Sequence, residues 1–246
     1  MNESMNQNQS TTPHPTTPHP TTLLFIRHGE TDANVNGQLE GATDKPLNAT
    51  GQAQAQALAA RLLSIQQPIQ AIYSSSLTRA RQTAAALAQA LGELPVQVDP
   101  DLSEFHLGEW DGLTLDELRN EKQMWARMAR DPHFAPPGGE SAMQFGLRLL
   151  NAARTILARH PGQTVAVFSH GGALATLLAL LLENQGNRWP NYPMDNCGIS
   201  EVVFEPAPRL VRMNDVSHLK DAPTVGDFLR ERRGNGSGGM TPQASG

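Results

Sequence analysis

Side chains that can bind and transfer a phosphate group follow four apolar runs of this chain. They are Arg27, His28, Arg79, Glu104 and His170. An arginine guanidinium can bind two phosphate oxygens at once, so two arginines can neutralise and orient a phosphate dianion. A neutral histidine can attack phosphorus, and a carboxylic acid can protonate the departing oxygen and later accept a proton from water. Such a set of side chains suits the cleavage of a phosphate ester.

The segments that carry these side chains are predicted to be buried strands followed by helices or long loops. The strands begin near residues 23, 70, 96 and 164, and the helices cover 51–65, 77–91 and 172–182. The first helix start is signalled by the cap-type residues Asn48 and Thr50. Segments 198–205 and 209–216 are typical of a closing hairpin that adds antiparallel strands. Strands that alternate with helices predict a three-layer α/β/α fold with a mostly parallel central sheet.

The predicted sheet brings the phosphate-binding side chains to one edge. In open α/β sheets, ligands bind outside the carboxyl ends of the parallel strands. The helices that start in SSSLTR at 74–79 and SHGG at 169–172 would add backbone N–H groups and the positive end of a helix dipole. The sequence therefore predicts an anion site that needs no metal.

Residues 105–140 break the strand and helix pattern and are predicted to form a helical lid insertion over the strand ends. The segment combines a helical piece at 114–130 with the turn-forming run DPHFAPPGG at 131–139. Its large apolar side chains are expected to form a small core of the lid itself. They are Trp110, Met124, Trp125, Met128 and Phe134.

Both ends of the chain are predicted to lie outside the folded domain, which we expect to cover residues 23–233. Residues 1–22 repeat TTPHP and lack an apolar cluster, and residues 234–246 are rich in glycine and serine. Segments of this composition cannot offset the entropy lost on ordering, so we expect two disordered tails. The short basic run RERR at 230–233 is expected to be a solvated helix end.

Composition argues against several classes of partner. The formal net charge is -5, and the predicted domain has no dense run of lysine and arginine of the kind that binds nucleic acid. The longest apolar stretch, residues 172–182, is too short to span a bilayer, and no signal peptide opens the chain. The single cysteine, Cys197, excludes an internal disulfide and agrees with a reducing compartment. We therefore expect a cytoplasmic protein that binds neither nucleic acid nor a membrane.

The remaining histidines lack a comparable placement at strand ends. His106, His133, His160 and His218 are expected to be structural or exposed, and the two in the N-terminal tail are expected to be solvated. No set of residues has the spacing of a metal site. We therefore expect neither a metal nor another cofactor.

Four motifs together resemble the histidine phosphatase superfamily, the phosphoglycerate mutase-like proteins. They are RHGET at 27–31, SSSLTRARQTA at 74–84, SHGG at 169–172 and NDVSHL at 214–219, and the resemblance covers residues 23–220. It implies three catalytic residues: His28 as the phosphorylated nucleophile, Glu104 as the proton donor and His170 in the phosphate pocket. It also implies a set of phosphate-binding residues, which are Arg27, Asn34, Arg79 and Gly171.

Two further segments resemble the phosphatase branch of the superfamily rather than its mutases. They are GEWDGLTLDEL at 108–118 and PGGES at 137–141, and that branch includes broad-specificity phosphatases and α-ribazole phosphatases. Thr114 stands near the place where mutases tend to have a lysine, and residues 119–136 lack an adjacent arginine pair. Glu40 replaces the glutamine of many relatives, and its charge would repel an anionic substrate.

The resemblance implies hydrolysis of the phosphate monoester of a small molecule, through a phosphohistidine and without a metal. Three alternatives remain: a 2,3-bisphosphoglycerate-dependent phosphoglycerate mutase, a phosphoprotein phosphatase, and a non-catalytic protein that binds phosphate. Binding alone would need neither a nucleophile nor Glu104, which argues against the last alternative. The sequence indicates neither the physiological substrate nor the oligomeric state, because specificity in such a fold lies in the variable lid.

Overall fold

Six strands form one sheet in the computed structural model, which describes residues 20–64 and 68–219. The strands are β1 (Thr21–Arg27), β2 (Ile69–Ser74), β3 (Val96–Val98), β4 (Thr164–Ser169), β5 (Ile199–Glu205) and β6 (Ala207–Asp215). Their order across the sheet is β3-β2-β4-β1-β5-β6. The first four strands in this order pair in parallel, and β5 and β6 pair antiparallel. The predicted sheet and its antiparallel closing hairpin are confirmed.

The helices of the described residues alternate with these strands. They are α1 (Asp32–Val35), α2 (Ala49–Leu63), α3 (Thr78–Ala90), α4 (Met124–Arg130), α5 (Ala142–Arg159) and α6 (Gly171–Glu183). In addition, 3₁₀ helices cover Pro100–Leu102, Gly108–Trp110 and Gly186–Asn191, and a π-helical turn covers Glu117–Glu121.

Helices cover both faces of the sheet because successive side chains of a strand point to opposite sides. In β1, Leu23 and Phe25 join a core cluster that includes residues of α5 and α6. Leu24 and Ile26 join a second cluster that includes residues of α2 and α3. All four side chains are buried. The three-layer α/β/α fold predicted from the sequence is therefore confirmed.

Helix α2 begins two residues earlier than predicted. The Asn48 side chain is its N-cap and accepts a hydrogen bond of 2.8 Å from the Gly51 N–H. The start signal at Asn48 is confirmed, whereas Thr50 lies inside the first turn. The predicted end of the helix at residue 65 lies outside the described residues.

Helix α5 is absent from the elements predicted above, although its sequence carries helix signals. Ser141 and Gln144 form a capping box: the Gln144 N–H donates to Ser141 Oγ at 3.2 Å, and the Ser141 N–H donates to Gln144 Oε1 at 2.8 Å. The buried residues of the helix recur at helical spacing on one face. They are Phe145, Gly146, Leu149, Ala152, Ala153 and Ile156.

The predicted lid segment contains two separate helical pieces where one helical piece was predicted. The π-helical turn Glu117–Glu121 and α4 are separated at Gln123, whose φ of 51° lies in the left-handed region. Glutamine favours helix, so its residue type does not signal this break. The predicted helical piece is present, but it is interrupted at residues 122 and 123.

The apolar side chains of the lid belong to the main core. Trp110 and Met124 are buried in the same cluster as the residues of β1 that face α5 and α6. The partly buried side chains of Trp125, Met128 and Phe134 pack against that cluster. The expected separate core of the lid is therefore wrong, because these side chains extend the core across the sheet face.

The described residues begin close to the predicted domain start. Strand β1 starts at Thr21, two residues before it. Residues 1–19 and 220–246, with the predicted tails, their two histidines and the RERR run, lie outside the described residues. No helix in the described part of the chain is long and apolar enough to cross a membrane.

Candidate active site

The two histidines of the RHGET and SHGG motifs lie side by side at the carboxyl ends of neighbouring strands. Arg27 at the end of β1 pairs with Ser169 at the end of β4. The N–H of His28 donates to the Ser169 carbonyl at 3.0 Å. The rings of His28 and His170 have centroids 5.1 Å apart at an interplanar angle of 58°. The expected meeting of these side chains at one edge of the sheet is confirmed.

His28 is held with one ring nitrogen available as a lone-pair donor. Its Nδ1 lies 2.7 Å from the Gly29 carbonyl oxygen, which can only accept, so Nδ1 carries the proton. Nε2 of a neutral ring is then unprotonated. Burial lowers the pKa of His28 well below its usual value, and the charges of Arg27 and Arg79 lower it further. The ring is therefore neutral, which is the form that can act as a nucleophile.

His170 is completely buried and contacts the second strand end. Its Nε2 lies 2.8 Å from Ser75 Oγ, just after β2. Its Nδ1 is buried and has no hydrogen-bond partner among the described residues. Burial lowers the pKa of His170 well below its usual value, and the charges of Arg79, His28 and Arg27 lower it further. Ser75 is a site residue that the sequence analysis did not single out, although it lies within the SSSLTR motif.

Arg27 directs part of its guanidinium group to the chain and leaves part of it unpaired. Nη1 donates to the Met194 carbonyl at 2.9 Å, and Nε is buried without a hydrogen-bond partner in the described structure. A Cβ atom at Gly171 would lie 3.3 Å from this Nε, so the glycine lets the start of α6 approach the arginine closely. Burial lowers the pKa of Arg27, and the negative charge of Glu104 opposes this shift.

Arg79 is buried and is held by the loop that follows α1. Nη1 donates to the Thr43 carbonyl at 2.7 Å and Nη2 to the Gly41 carbonyl at 3.0 Å. Nε lies 3.7 Å from the carboxylate of Glu40. Burial lowers the pKa of Arg79, and the charges of Glu40 and Glu104 oppose this shift. A guanidinium carries five N–H donors, so one N–H on each terminal nitrogen remains for another acceptor.

Glu104 is half-buried beside the start of α6. Its Oε1 accepts from the Phe105 N–H and its Oε2 from the Gly172 N–H, both at 2.9 Å. A Cβ atom at Gly172 would lie 2.7 Å from Oε1, a distance too short for a side chain. The second glycine of SHGG therefore allows the carboxylate to reach the helix start, where it takes up one of the expected N–H donors.

The start of α3 contributes less to an anion site than the sequence predicts. The Leu77 N–H donates to Ser75 Oγ at 3.2 Å, and the Thr78 N–H donates to the Asp44 carboxylate at 2.6 Å. Both N–H groups are thus already satisfied by side chains of the chain. At this helix the positive charge near the histidines comes from Arg79 rather than from free backbone N–H groups. This charge lowers the pKa of both His28 and His170.

Asn34 is oriented by a residue 162 positions later in the chain. Its Oδ1 accepts from the Thr31 N–H at 3.2 Å and from Asn196 Nδ2 at 3.0 Å. Asn196 Nδ2 also donates to the His28 carbonyl at 3.0 Å. These contacts leave the Asn34 amide N–H groups to face another acceptor. No sequence motif quoted above includes Asn196.

The other described histidines lie away from this cluster. His106 and His133 are exposed, and His160 bonds Tyr73 Oη at 3.0 Å, as expected for exposed or structural residues. His218 is half-buried, and burial lowers its pKa. Within residues 20–64 and 68–219, no group of three His, Cys, Asp or Glu side chains is arranged to hold a metal ion.

Comparison with known proteins places this geometry in a family. The sequence profile of the histidine phosphatase superfamily (branch 1) matches residues 23–216. A protein of Escherichia fergusonii named probable phosphoglycerate mutase GpmB is 33% identical over 218 residues, which cover 85% of this chain and 99% of that protein. A glucosyl-3-phosphoglycerate phosphatase of Mycobacterium tuberculosis is 38% identical over 178 residues, which cover 68% of this chain and 78% of that protein.

A solved structure agrees with the sequence relatives. The phosphoserine phosphatase of Entamoeba histolytica in complex with 3-phosphoglyceric acid superimposes with a TM-score of 0.71 at 29% identity and covers 81% of this chain and 99% of that chain. The strand-end cluster and these matches have one common explanation: the chain belongs to the histidine phosphatase superfamily.

Proposed function

We propose that this protein is a phosphatase that hydrolyses phosphate monoesters through a phosphohistidine on His28. The observation that carries the proposal is the contact between His28 Nδ1 and the Gly29 carbonyl, which leaves Nε2 with a lone pair. Arg27, the buried Arg79 and the Glu104 carboxylate act electrostatically on the same cluster. A neutral nucleophile beside fixed positive charge suits attack on a phosphate dianion.

The first step transfers the phosphoryl group to the enzyme. His28 Nε2 attacks phosphorus, the bond from phosphorus to the ester oxygen breaks, and Glu104 gives a proton to that oxygen as the alcohol leaves. Arg27, Arg79 and His170, with the Asn34 amide and the start of α6 at Gly171, hold the phosphoryl oxygens. These are the same residues that the sequence predicts for the phosphate pocket.

The second step returns the enzyme to its starting state. Glu104, now a carboxylate, accepts a proton from a water molecule as the water oxygen attacks phosphorus. The bond from phosphorus to His28 Nε2 breaks, and inorganic phosphate is released. No residue other than Glu104 has to donate or accept a proton.

The test is phosphate release from a panel of monoesters. The panel includes para-nitrophenyl phosphate, 3-phosphoglycerate, phosphoserine, glucosyl-3-phosphoglycerate and α-ribazole phosphate, with a chelator present. We expect release that resists the chelator and disappears in His28→Ala, together with an acid-labile phosphoenzyme in the wild type only. Near wild-type turnover in His28→Ala would exclude the phosphohistidine.

Phosphoglycerate mutase activity is the second candidate function. It is favoured by the name of the Escherichia fergusonii relative, which this chain covers almost completely. A mutase must keep its phosphohistidine from water and pass the group to a second substrate. Exchange between 2- and 3-phosphoglycerate that depends on bisphosphoglycerate, without net phosphate release, would identify it.

The proposal extends to the organisation of the chain and its location. The catalytic domain runs from β1 to about residue 233, with residues 105–140 as the lid that selects a small-molecule ester. The single cysteine, Cys197, is a buried free thiol, which supports action in the cytoplasm. Fractionation of cells that express the full chain tests the location.

A further inference from the structure

The loop that carries Glu104 is held by an arginine of helix α5. We propose that Arg148 of α5, supported by Glu140, is a positioning residue that sets the carboxylate of Glu104 for proton transfer. This inference rests on the proposed function, because it assigns to Arg148 an effect on the proton donor of that reaction.

Arg148 binds the backbone just before the proton donor and at the proton donor itself. Its Nη1 donates to the carbonyls of Asp101 at 2.8 Å and Ser103 at 2.7 Å. Its Nη2 donates to the carbonyl of Glu104 itself at 2.8 Å. The chain from 103 to 107 is in neither helix nor strand, so these bonds replace the regular backbone bonds that would otherwise fix it.

Glu140 completes the arrangement from the lid side. Its carboxylate accepts from Arg148 Nε at 2.9 Å and Nη2 at 2.6 Å. Its Oε1 also accepts from the His106 N–H at 2.9 Å, and its own N–H donates to the His106 carbonyl at 2.9 Å. The PGGES segment thus fixes the residues just after Glu104, while Arg148 fixes those just before it.

The donor count separates positioning from substrate binding. A guanidinium has five N–H donors, and the five contacts of Arg148 to three carbonyls and the Glu140 carboxylate use all of them. Arg148 therefore has no donor left for a phosphate, unlike Arg27 and Arg79. A lysine has three donors without a planar fork and cannot reproduce this pattern.

Loss of Arg148 is therefore expected to affect only proton donation by Glu104. A general acid matters most when the leaving oxygen is a poor leaving group, and a shift of about 1 Å in a catalytic group can cost roughly 100-fold in rate. If Arg148 acts through Glu104, its loss penalises esters of alcohols and phenol. Esters with an acidic leaving group, which departs without protonation, are spared.

The experiment compares kcat/KM for phenyl phosphate and 2,4-dinitrophenyl phosphate, because kcat/KM reports only the first phosphoryl transfer. For Arg148→Met we expect a loss of about 100-fold with phenyl phosphate and less than about threefold with dinitrophenyl phosphate. Arg148→Lys, which keeps the charge, should show the same selectivity with a smaller loss. Adding Arg148→Met to Glu104→Gln should cost no further activity.

Arg212→Met is the matched control, because Arg212 pairs with Glu201 and Asp215 at the β5 and β6 edge of the sheet. Its kcat/KM should match the wild type with both esters. Equal losses with both esters in both Arg148 variants, or a further loss in the Glu104→Gln background, would show a general structural role and overturn the inference. Retained turnover in His28→Ala is a separate result that would overturn the proposed function itself.

Discussion

The carboxylate of Glu40 lies 3.7 Å from Nε of Arg79, and both side chains are buried. Thr31 Oγ1 donates to Oε2 of Glu40 at 2.8 Å, whereas Oε1 has no hydrogen-bond partner among the described residues. From the sequence alone, the charge of Glu40 is expected to repel an anionic substrate. The structure puts this charge against Arg79, an arginine of the proposed phosphate pocket, so it offsets part of the positive charge there.

Replacing Glu40 with glutamine should strengthen the binding of anions. The substitution keeps an oxygen that can accept from Thr31 and removes the negative charge beside Arg79. We expect inhibition constants for inorganic phosphate and vanadate to fall about tenfold, in line with the interaction of partly screened charges a few ångströms apart. Steady-state inhibition measures the effect.

Glu205→Gln removes the same charge at an exposed position of the β5 and β6 hairpin and should leave both constants unchanged. Weaker anion binding in Glu40→Gln would mean that the carboxylate is needed to hold Arg79 in place.

Removing the side chain of Asn196 should weaken substrate binding more than turnover. Asn34 would lose the contact that orients its amide, and a lost hydrogen bond of this kind is worth about 1 kcal/mol, or roughly fivefold. We expect Asn196→Ala to raise KM about fivefold with little change in kcat. Asn191→Ala, at an exposed amide whose bond to Glu183 is 3.4 Å long, should behave as the wild type. A fall in kcat at unchanged KM would contradict the assigned role.

The two buried histidines make the stability of the protein depend on pH. Burial lowers the pKa of His28 and His170 well below 6.5, so the folded protein keeps both rings neutral. Above pH 6.5 both rings are neutral in the folded and in the unfolded state, so their contribution to the free energy of unfolding is fully present. As the pH falls below about 6.5, the unfolded chain takes up protons that the folded chain does not, and stability decreases by up to about 1.4 kcal/mol per pH unit for each ring.

Urea unfolding between pH 7.5 and 5 measures this dependence. In His28→Asn the slope below pH 6.5 should be smaller than in the wild type by up to about 1.4 kcal/mol per pH unit. Carboxylates titrate in both proteins and cancel in the difference. Parallel slopes would show that His28 titrates normally in the folded state.

Gly51 should not tolerate alanine, although it lies in a helix. Alanine in an open helix stabilises by about 1 kcal/mol relative to glycine. A Cβ atom at Gly51 would overlap the carbonyl oxygen of Glu30, two residues after the proposed nucleophile His28. We expect Gly51→Ala to destabilise the protein by about 1–3 kcal/mol through this overlap and to raise KM by displacing the loop after β1.

Chemical denaturation and steady-state kinetics test this prediction together. Gly186→Ala, where a Cβ would meet only side-chain atoms at 3.4 Å or more, should be close to neutral. A gain in stability at Gly51 would show that the loop after β1 moves without cost.

Some features of the structure that were not predicted carry a signal in the local sequence, and others do not. Helix α5 could have been predicted, because Ser141 and Gln144 form a local capping signal and the buried positions follow at helical spacing. The break at Gln123 could not, because a left-handed glutamine has no signature in residue type. The packing of the lid side chains onto the main core also cannot be predicted from the local sequence, since it depends on which faces of the helices and strands meet after folding.

The sequence by itself determined the fold class and the position of His28 and His170 at one edge of the sheet. Apolar runs that end in polar residues specify strands with side chains at their carboxyl ends, and parallel pairing brings those ends together whatever the details of packing. This is why His28 and His170, which are far apart in the chain, could be assigned to one edge of the sheet in advance.

Only the tertiary structure decided how these side chains are supported. Asn196 reaches the His28 carbonyl across 168 positions, and Arg148 reaches the Glu104 carbonyl across 44. Contacts of this kind leave no trace in local periodicity or propensity, because they depend on the crossing of elements that are remote in sequence. The pairing of Glu40 with Arg79 arises in the same way, so the sign of its effect on anion binding follows from packing and not from residue type.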